Sequence, residues 1–424
     1  MQEIGVYLAY CILILGLVNL FRLALFMIGA DVYDLLKLSK HRKKHTSPSL
    51  PFVSVVIPAH NEEVCILRTV QSVLANDYTR KRIVVVDDGS TDSTSNKLRY
   101  FKRKNKVDQL VIVKQPNGGK ATAINNALKN HVRGSSLVMV LDADSILDRS
   151  AISRMVDHFR DKNVVAAAAN VKVIDSMQFL TIAQRLEYVV SHRMKRALTV
   201  LNMEYIIGGV GSTFRKSMVH ACDYYDSDTM TEDIDFTLKI INRKGNRRNR
   251  IIFASDVIAF TEGVVTFKSL VRQRFRWKYG RMQTLLKNRK VFFSRDPKHT
   301  KQLTWGYLPF VVLSELFLLL EPIFLGFVLY VAWAYAGFGG LLAVYGTVTF
   351  FNLMNVLADD SESRKNKRRL LATVPFAYPL LLVMSFVDFL ALVKSLVNFP
   401  DLLRRKGQGA HWQHVERIGK TVPL

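Results

Sequence analysis

Short runs of β-branched and other apolar residues, each followed by polar or glycine-rich residues, constrain the middle of this chain more than any other feature. The runs cover residues 53–57, 83–86 and 110–113, and a fourth covers 138–141. Segments with helical character, such as 120–130, separate them. Continuous apolar strands that alternate with helices are typical of a parallel sheet covered on both faces. The sequence therefore predicts an α/β domain.

The fourth run stops at two carboxylates, Asp142 and Asp144, with one small residue between them. If strand geometry continued through them, both side chains would point to the same face. Two carboxylates at the carboxyl end of a strand form a hard-oxygen site for Mg²⁺ or Mn²⁺, and ligands bind at that end of open α/β sheets. Because Asp and Ser are common turn residues, a turn is the simpler interpretation of this pair taken alone.

The sequence lacks the motifs of several common nucleotide-binding and metal-binding sites. Gly118-Gly119-Lys120 is not a P-loop, which would need a glycine at position 114 and a hydroxyl residue at position 121. The three cysteines are far apart, and no His-Glu-x-x-His pair occurs. The sequence therefore predicts neither a disulfide framework nor a zinc site.

The apolar residues are concentrated at the two ends of the chain, which predicts a membrane protein with a soluble, basic middle. Residues 1–30 are long enough to cross a bilayer of about 30 Å as an uncleaved helix. Basic residues at 37–44 place the middle of the chain in the cytoplasm by the positive-inside rule. After a predicted turn at 337–340, a last apolar segment at 370–397 either crosses the membrane or re-enters it, and the sequence leaves both open.

These features, together with two motifs later in the chain, predict the order of segments. It is a transmembrane helix at 1–30, an interfacial helix and linker at 31–50, a cytoplasmic α/β domain at 51–260, interfacial helices at 261–304, transmembrane or interfacial segments at 305–397 and a basic tail at 398–424. The formal charge of +25 implies an anionic partner: nucleic acid, an acidic membrane surface or a phosphorylated substrate.

The two later stretches have the character of site motifs. Thr231-Glu232-Asp233 opens a predicted helix, where acidic residues suit the positive end of the helix dipole and Thr231 suits the N-cap. Gln273-x-x-Arg276-Trp277 lies on a predicted helix crowded with basic residues.

Taken in order, the motifs resemble those of the processive family-2 glycosyltransferases, which include the cellulose, chitin, hyaluronan and poly-N-acetylglucosamine synthases. The resemblance covers roughly residues 51–290. It is carried by Pro58-Ala59-His60-Asn61-Glu62, Asp87-Asp88-Gly89-Ser90, Asp142-Ala143-Asp144, Thr231-Glu232-Asp233 and Gln273-x-x-Arg276-Trp277.

The resemblance implies a GT-A fold, an α/β domain that binds a nucleotide-sugar, inserted between transmembrane helices. It also implies Mg²⁺ or Mn²⁺ held by Asp142 and Asp144 against the donor diphosphate, and Asp233 as the general base. The other donor-site residues that it implies are Ala59, Asn61, Glu62, Asp87, Asp88, Lys120, Gln273 and Arg276. The implied acceptor-site residues are Gly209, Gly211, Ser212, Glu232 and Trp277.

The expected function is inverting, processive polymerisation of a UDP-sugar into a β-linked polysaccharide, with export of the product. UDP-N-acetylglucosamine is favoured because Thr-Glu-Asp resembles the poly-N-acetylglucosamine and cellulose synthases more than the hyaluronan synthases. One alternative is addition of a single sugar to a lipid carrier. A more remote one is a non-enzymatic basic membrane protein, which explains the charge but not the ordered carboxylates.

The expected partners are the UDP-sugar donor, the growing glycan and the lipid bilayer, with room for an accessory membrane subunit and without nucleic acid. The expected location is the cell membrane, as a multi-pass protein with its catalytic domain in the cytoplasm.

Overall fold

The computed structural model describes residues 2–41, 50–174 and 178–403. The strands are β1 (Val53–Ala59), β2 (Lys81–Asp88), β3 (Leu110–Gln115), β4 (Leu137–Val140), β5 (Ile146–Leu147), β6 (Val164–Val173), β7 (Ser212–Arg215) and β8 (Arg250–Thr261). The helices are α1 (Gln2–His41), α2 (Ile66–Leu74), α3 (Thr94–Asn105), α4 (Lys120–Asn130), α5 (Ala151–His158), α6 (Phe179–Val200), α7 (Lys216–Ala221), α8 (Glu232–Lys244), α9 (Phe267–Lys287), α10 (Leu308–Leu357), α11 (Arg364–Thr373), α12 (Ala377–Val397) and α13 (Phe399–Leu403).

The first half of the sheet has the predicted parallel arrangement. In the described residues the strand order is β3-β2-β1-β4-β7-β6-β8-β5, and the first four strands are parallel neighbours. β1 continues through Pro58, where the sequence predicted that it would stop. Its pairing with β4 ends at Val56, so Pro58 lies where only β2 flanks the strand and a missing N–H is tolerated.

The second half of the sheet is mixed, and the expectation of a parallel sheet is wrong there. β7 lies between β4 and β6 and is antiparallel to both, and β5 is antiparallel to β8. β6 and β8 are parallel to each other. Antiparallel β7 places the loop that precedes it at the carboxyl end of β4, beside Asp142.

Helices cover both faces of the sheet, as predicted. Alternate residues of the central strands face opposite ways, so Val56 and Val84 pack against α4 and α8. Val55 and Ile83 pack on the other face, against α2, α3 and α5. The central strands are therefore largely apolar, and their polar carboxyl ends are where a ligand could bind.

The C-terminal end of α1 is docked onto the α/β domain. α1 continues without a break past residue 30, where the transmembrane segment was predicted to end. The Tyr33 hydroxyl donates to the Phe253 carbonyl at 2.9 Å, and Arg196 on α6 pairs with Asp34 at 2.8 Å. The helical part of the predicted linker is thus fixed to α6 and β8, while residues 42–49 lie outside the described ranges.

The C-terminal region consists of long apolar helices. α10 is interrupted at Gly337 (φ 54°, ψ −142°), inside the predicted turn. Within the described residues, Gln302–Leu357 and Arg364–Val397 are the helical stretches whose length and hydropathy suit a membrane span. The second packs against α6 and α9 through apolar side chains. Of the predicted basic tail, only residues 398–403 are described.

Candidate active site

Asp142 and Asp144 lie in a turn at the carboxyl end of β4. The strand ends at Val140, and the Ser145 N–H donates to the Asp142 carbonyl at 3.1 Å. The strand geometry that would have placed both carboxylates on one face therefore does not extend to them. The Asp144 carboxylate is buried and accepts a hydrogen bond from the Ser145 hydroxyl at 3.0 Å.

Side chains from α2 hold this turn in place. The Thr69 hydroxyl donates to the Ala143 carbonyl at 2.7 Å, and Arg68 donates to the Asp144 carbonyl at 3.2 Å. Arg68 also pairs with Glu262 at 2.7 Å, just after β8. Side chains of α2 thus hold the turn in place without a ligand, and Glu262 holds Arg68.

Lys120 joins two of the predicted motifs. It is the first residue of α4, and its Nζ lies 2.8 Å from Asp142 Oδ1 and 3.0 Å from Glu232 Oε1. Burial alone would lower the Lys120 pKa, but the neighbouring carboxylates outweigh it and hold the pKa well above its usual value. Lys120 is therefore a permanent cation at the centre of the site.

Lys120, Asp142, Glu232 and Asp233 form one charged cluster, in which Asp233 makes no close ion pair with the lysine. In the part of the chain that the structure describes, the ion pairs of Lys120 reach Asp142 and Glu232 but not Asp233. Burial, followed by repulsion from Glu232, raises the Asp233 pKa to about 6. A carboxylate with a pKa near the working pH is suited to accept a proton.

The glycine loop before β7 lies directly on the Lys120–Asp142 pair. A Cβ added to Gly209 would be 2.8 Å from Lys120 Nζ and 3.1 Å from Asp142 Oδ1, so a larger residue there would displace the lysine–aspartate pair. Gly211 has φ +69°, a conformation that favours glycine. Ser212 is the first residue of β7 and is buried, so it supports the C-terminal end of the loop.

The two aspartates at the end of β2 have different surroundings. The Asp88 carboxylate accepts from the N–H groups of Gly118 and Gly119 at 2.9 and 2.8 Å, and so fixes the loop that precedes Lys120. Asp87 Oδ1 accepts from the Ser90 N–H, whereas its buried Oδ2 has no hydrogen-bond partner among the described residues. One oxygen of Asp87 is therefore left without a partner in the described residues, whereas Asp88 holds the loop before Lys120.

The loop after β1 is attached to the loop after β2. Ala59 is buried at the end of β1, and the following Asn61 has φ 55°. The Asn61 N–H donates to the Ser90 hydroxyl at 3.0 Å, and the Glu62 N–H donates to the Thr94 hydroxyl at 2.9 Å. These bonds bring the first two motifs together at one edge of the sheet, as predicted.

Gln273, Arg276 and Trp277 lie on α9 and are partly buried. Within the described ranges no hydrogen bond or ion pair joins Gln273 or Arg276 to Lys120 or its carboxylates, so their binding role stays a prediction. Between them lies Arg274, which the sequence did not single out. It makes a bidentate ion pair with Glu187 at 2.7 and 2.6 Å, and its guanidinium lies 4.5 Å from the centre of the Trp277 ring.

A second acidic cluster flanks α8. Oxygens of Asp226, Asp228 and Asp235 lie within 4.8 Å of one another. Lys287 Nζ lies among them, at 2.7, 2.6 and 2.7 Å respectively. The Lys287 ammonium thus occupies the space between these three carboxylates, and a metal at Asp142 and Asp144 stays a prediction from the resemblance.

Comparison with known proteins identifies a matching family model and several relatives by sequence. Residues 54–220 match the family model "Glycosyl transferase family 2". The poly-β-1,6-N-acetyl-D-glucosamine synthase of Staphylococcus aureus is 32% identical over 244 residues, which is 57% of this chain and 57% of that protein. The enzyme of the same name from Staphylococcus epidermidis is 27% identical over 378 residues, covering 86% of this chain and 87% of the relative.

A solved structure resembles the fold. A mannosyltransferase from Pyrobaculum calidifontis, in complex with GDP-Man and Mn²⁺, superimposes with a TM-score of 0.53 at 20% identity and covers 89% of this chain and 96% of that one. The likeness supports the GT-A type of α/β domain. The ordered motifs, the matched domain at residues 54–220 and the synthase relatives all agree with a domain of the family-2 glycosyltransferase type.

Proposed function

We propose that the chain is a membrane-bound, inverting glycosyltransferase that transfers N-acetylglucosamine from UDP-N-acetylglucosamine to a growing β-linked polysaccharide. The observation that carries the chemistry is Asp233, a carboxylate with a pKa raised to about 6, beside the Lys120–Asp142 pair. The names of the sequence relatives support the sugar and the polymer.

In the proposed reaction Asp233 acts as the general base. It takes the proton of an acceptor hydroxyl as that oxygen attacks the anomeric carbon, and for this it must come within about 3 Å of the hydroxyl. The bond between the anomeric carbon and the diphosphate oxygen breaks in the same displacement, and UDP leaves. A single displacement inverts the anomeric centre and requires no enzyme nucleophile.

The donor would bind at the carboxyl ends of β1, β2 and β4. Ala59, Asn61, Glu62 and Asp87 would surround the nucleoside, and the free oxygen of Asp87 supports this. Lys120, Gln273 and Arg276 would bind the diphosphate, to which ammonium and guanidinium groups make charge-assisted hydrogen bonds. Asp88 would contribute through the loop that it holds.

A divalent metal fits the turn after β4. Asp142 and Asp144 supply carboxylate oxygens, which are the ligands that Mg²⁺ and Mn²⁺ prefer, and the diphosphate and water would complete the shell. The bound metal would neutralise charge on the leaving UDP. The structure of the Pyrobaculum mannosyltransferase contains Mn²⁺, which agrees with this proposal.

The acceptor would lie above the glycine loop. Gly209 and Gly211 allow a sugar close to the backbone, Ser212 supports the loop, and Glu232 and Trp277 would contact the sugar. Arg274 covers one face of the Trp277 ring, so stacking would use the other face.

The membrane would hold α1, α10 and α12, with the catalytic domain in the cytoplasm. Exposed apolar side chains support this on α1, such as Ile14 and Phe21, and on α10, such as Ile323 and Tyr335. Export of the product and an accessory subunit belong to the same proposal.

A donor comparison on the purified full chain tests the proposed function. UDP release is measured with UDP-N-acetylglucosamine, UDP-glucose and UDP-glucuronate, each with and without Mn²⁺, and the products are sized. We expect metal-dependent release, fastest from UDP-N-acetylglucosamine, and a polymer. Products that carry a single added sugar would favour transfer to a lipid carrier, and no release from any donor would contradict the proposal.

A further inference from the structure

The residues immediately before Asp233 are held by α9. Gln283 Oε1 accepts a hydrogen bond from the Met230 N–H at 2.8 Å, and both residues are buried. Gly280 packs against Thr231 so closely that an added Cβ would lie 2.6 Å from its side chain. Thr231, which the sequence favoured as a helix cap, makes no capping hydrogen bond with its side chain. Contacts with α9 therefore fix the entry into α8.

The residues immediately after Asp233 are held by the same helix. Lys287 Nζ lies 2.7 Å from Asp235 Oδ2, and the Asp235 side chain is 1% exposed. Asn288, which directly follows α9, donates to Asp235 Oδ1 at 3.2 Å. The backbone on both sides of Asp233 is thus attached to the C-terminal end of α9.

The contacts to α9 come from one face of that helix. Gly280, Gln283 and Lys287 are spaced three and four residues apart, which places them in line. The same face includes Gln273 and Arg276, one to four turns closer to the N-terminus. A single rigid element therefore carries the proposed diphosphate ligands and the contacts around Asp233.

We propose that Gln283 and Lys287 are positioning residues that fix the first turn of α8, so that the Asp233 carboxylate is aimed at the acceptor hydroxyl. The inference rests on the proposed function, because it takes Asp233 as the base. Neither residue touches the substrate: Gln283 acts through the Met230 backbone and Lys287 acts through Asp235.

The test compares Lys287→Met with Lys287→Arg in the purified full chain. Two quantities are measured: kcat and KM for UDP-N-acetylglucosamine, and amide hydrogen exchange across residues 228–236. We expect Lys287→Met to lower kcat about 10- to 100-fold, as a displacement of about 1 Å can. The donor KM should change less than about threefold, because the donor ligands are intact. Exchange should accelerate in 228–236, and Lys287→Arg should retain most of both properties.

Two further variants separate positioning from misfolding. Lys287→Met leaves Asp235 buried without its cation, which can unfold the chain, whereas Asp235→Asn/Lys287→Met removes both charges. Gln283→Leu independently removes the other attachment, which is the hydrogen bond from the Met230 N–H. We expect both variants to fold, to lose kcat and to exchange faster at 228–236. Wild-type kcat and wild-type exchange in both variants would overturn the inference.

Asn246→Ala is the matched control. Asn246 is also buried, and its amide donates to the Asn202 carbonyl at 2.9 Å and to the Thr300 hydroxyl at 2.7 Å, beyond the far end of α8. This variant should lower stability and keep kcat within about threefold of wild type. An equal loss of kcat in Asn246→Ala and in the α9 variants would show a general effect and contradict positioning.

The exchange measurement keeps this inference separate from the proposed function. If the wild-type chain released UDP from no donor, the proposed function would fail, and exchange at 228–236 would still show whether α9 holds that segment. If the wild type is active and exchange does not change in the α9 variants, the positioning role alone fails.

Discussion

The first turn of α8 lies between two acidic clusters, each centred on a lysine. On one side Lys120 pairs with Asp142 and Glu232 at 2.8 and 3.0 Å. On the other side Lys287 pairs with three carboxylates, all within 2.7 Å of its Nζ. Both clusters bring together distant parts of the chain, and their compositions are nearly the same.

The two clusters differ in whether one of their carboxylates lacks a direct ion pair with the central lysine in the described residues. Every acidic group around Lys287 has a direct ion pair, which is what a structural cluster requires. Near Lys120, Asp233 has no such contact in the described part of the chain, and its pKa is raised to about 6. On the proposed function, reactivity at this site would come from Asp233, the carboxylate that has no direct ion pair with Lys120 in the described residues.

Asp233→Asn should have the largest effect. The substitution keeps the shape of the side chain and removes its ability to accept a proton, so UDP release should fall at least about 100-fold. UDP binding, measured by titration, should stay within about threefold of wild type. Turnover above about a tenth of the wild-type rate would remove Asp233 as the base.

Lys120→Met should have the next largest effect. It removes the cation between Asp142 and Glu232 and with it the contact that we propose to the donor diphosphate, so kcat/KM for the donor should fall about 100-fold. Lys120→Arg should recover part of the loss. Unchanged donor kinetics in Lys120→Met would mean that this lysine stabilises the fold and does not act on the donor.

Gly209→Ala should have an intermediate effect, about tenfold on kcat/KM, because its Cβ would press on Lys120 and Asp142. Gly208→Ala is the matched control, since a Cβ at that neighbouring position meets nothing within 4 Å. Equal kinetics for the two variants would show that the loop does not shape the lysine–aspartate pair.

Asp228→Asn should have the smallest effect. Its side chain is 65% exposed, and Lys287 keeps two other partners. Thermal unfolding should show a loss of less than about 1 kcal/mol, and donor kinetics should not change. A large loss of activity would mean that the Lys287 cluster takes part in substrate binding.

The sequence predicts the parallel half of the site well because its signals are local. β1, β2 and β4 are short, largely apolar runs that contain β-branched residues, and each ends in its own polar motif. The positions of Ala59, Asp87 and Asp142 at one sheet edge then follow from the rule that parallel strands end together.

The remaining features depend on contacts between distant residues. β6 begins Val-Val-Ala-Ala-Ala-Ala, and its four alanines, which are depleted in strands, form one here because small side chains fit a sheet covered on both faces. The loop-holding role of Asp88 and the contact of Gly280 with Thr231 also depend on tertiary packing. No periodicity or motif spacing indicates such pairs, so Lys287 was not identified from the sequence.

The pH dependence of kcat/KM is the most direct test of Asp233 as the general base. A raised pKa means that the carboxylate is protonated, and inactive as a base, at pH values where an ordinary aspartate would be ionised. We expect kcat/KM of the wild-type chain to fall about tenfold per pH unit below an apparent pKa of about 6. A rate that stays constant down to about pH 4.5, with the protein still folded, would contradict it.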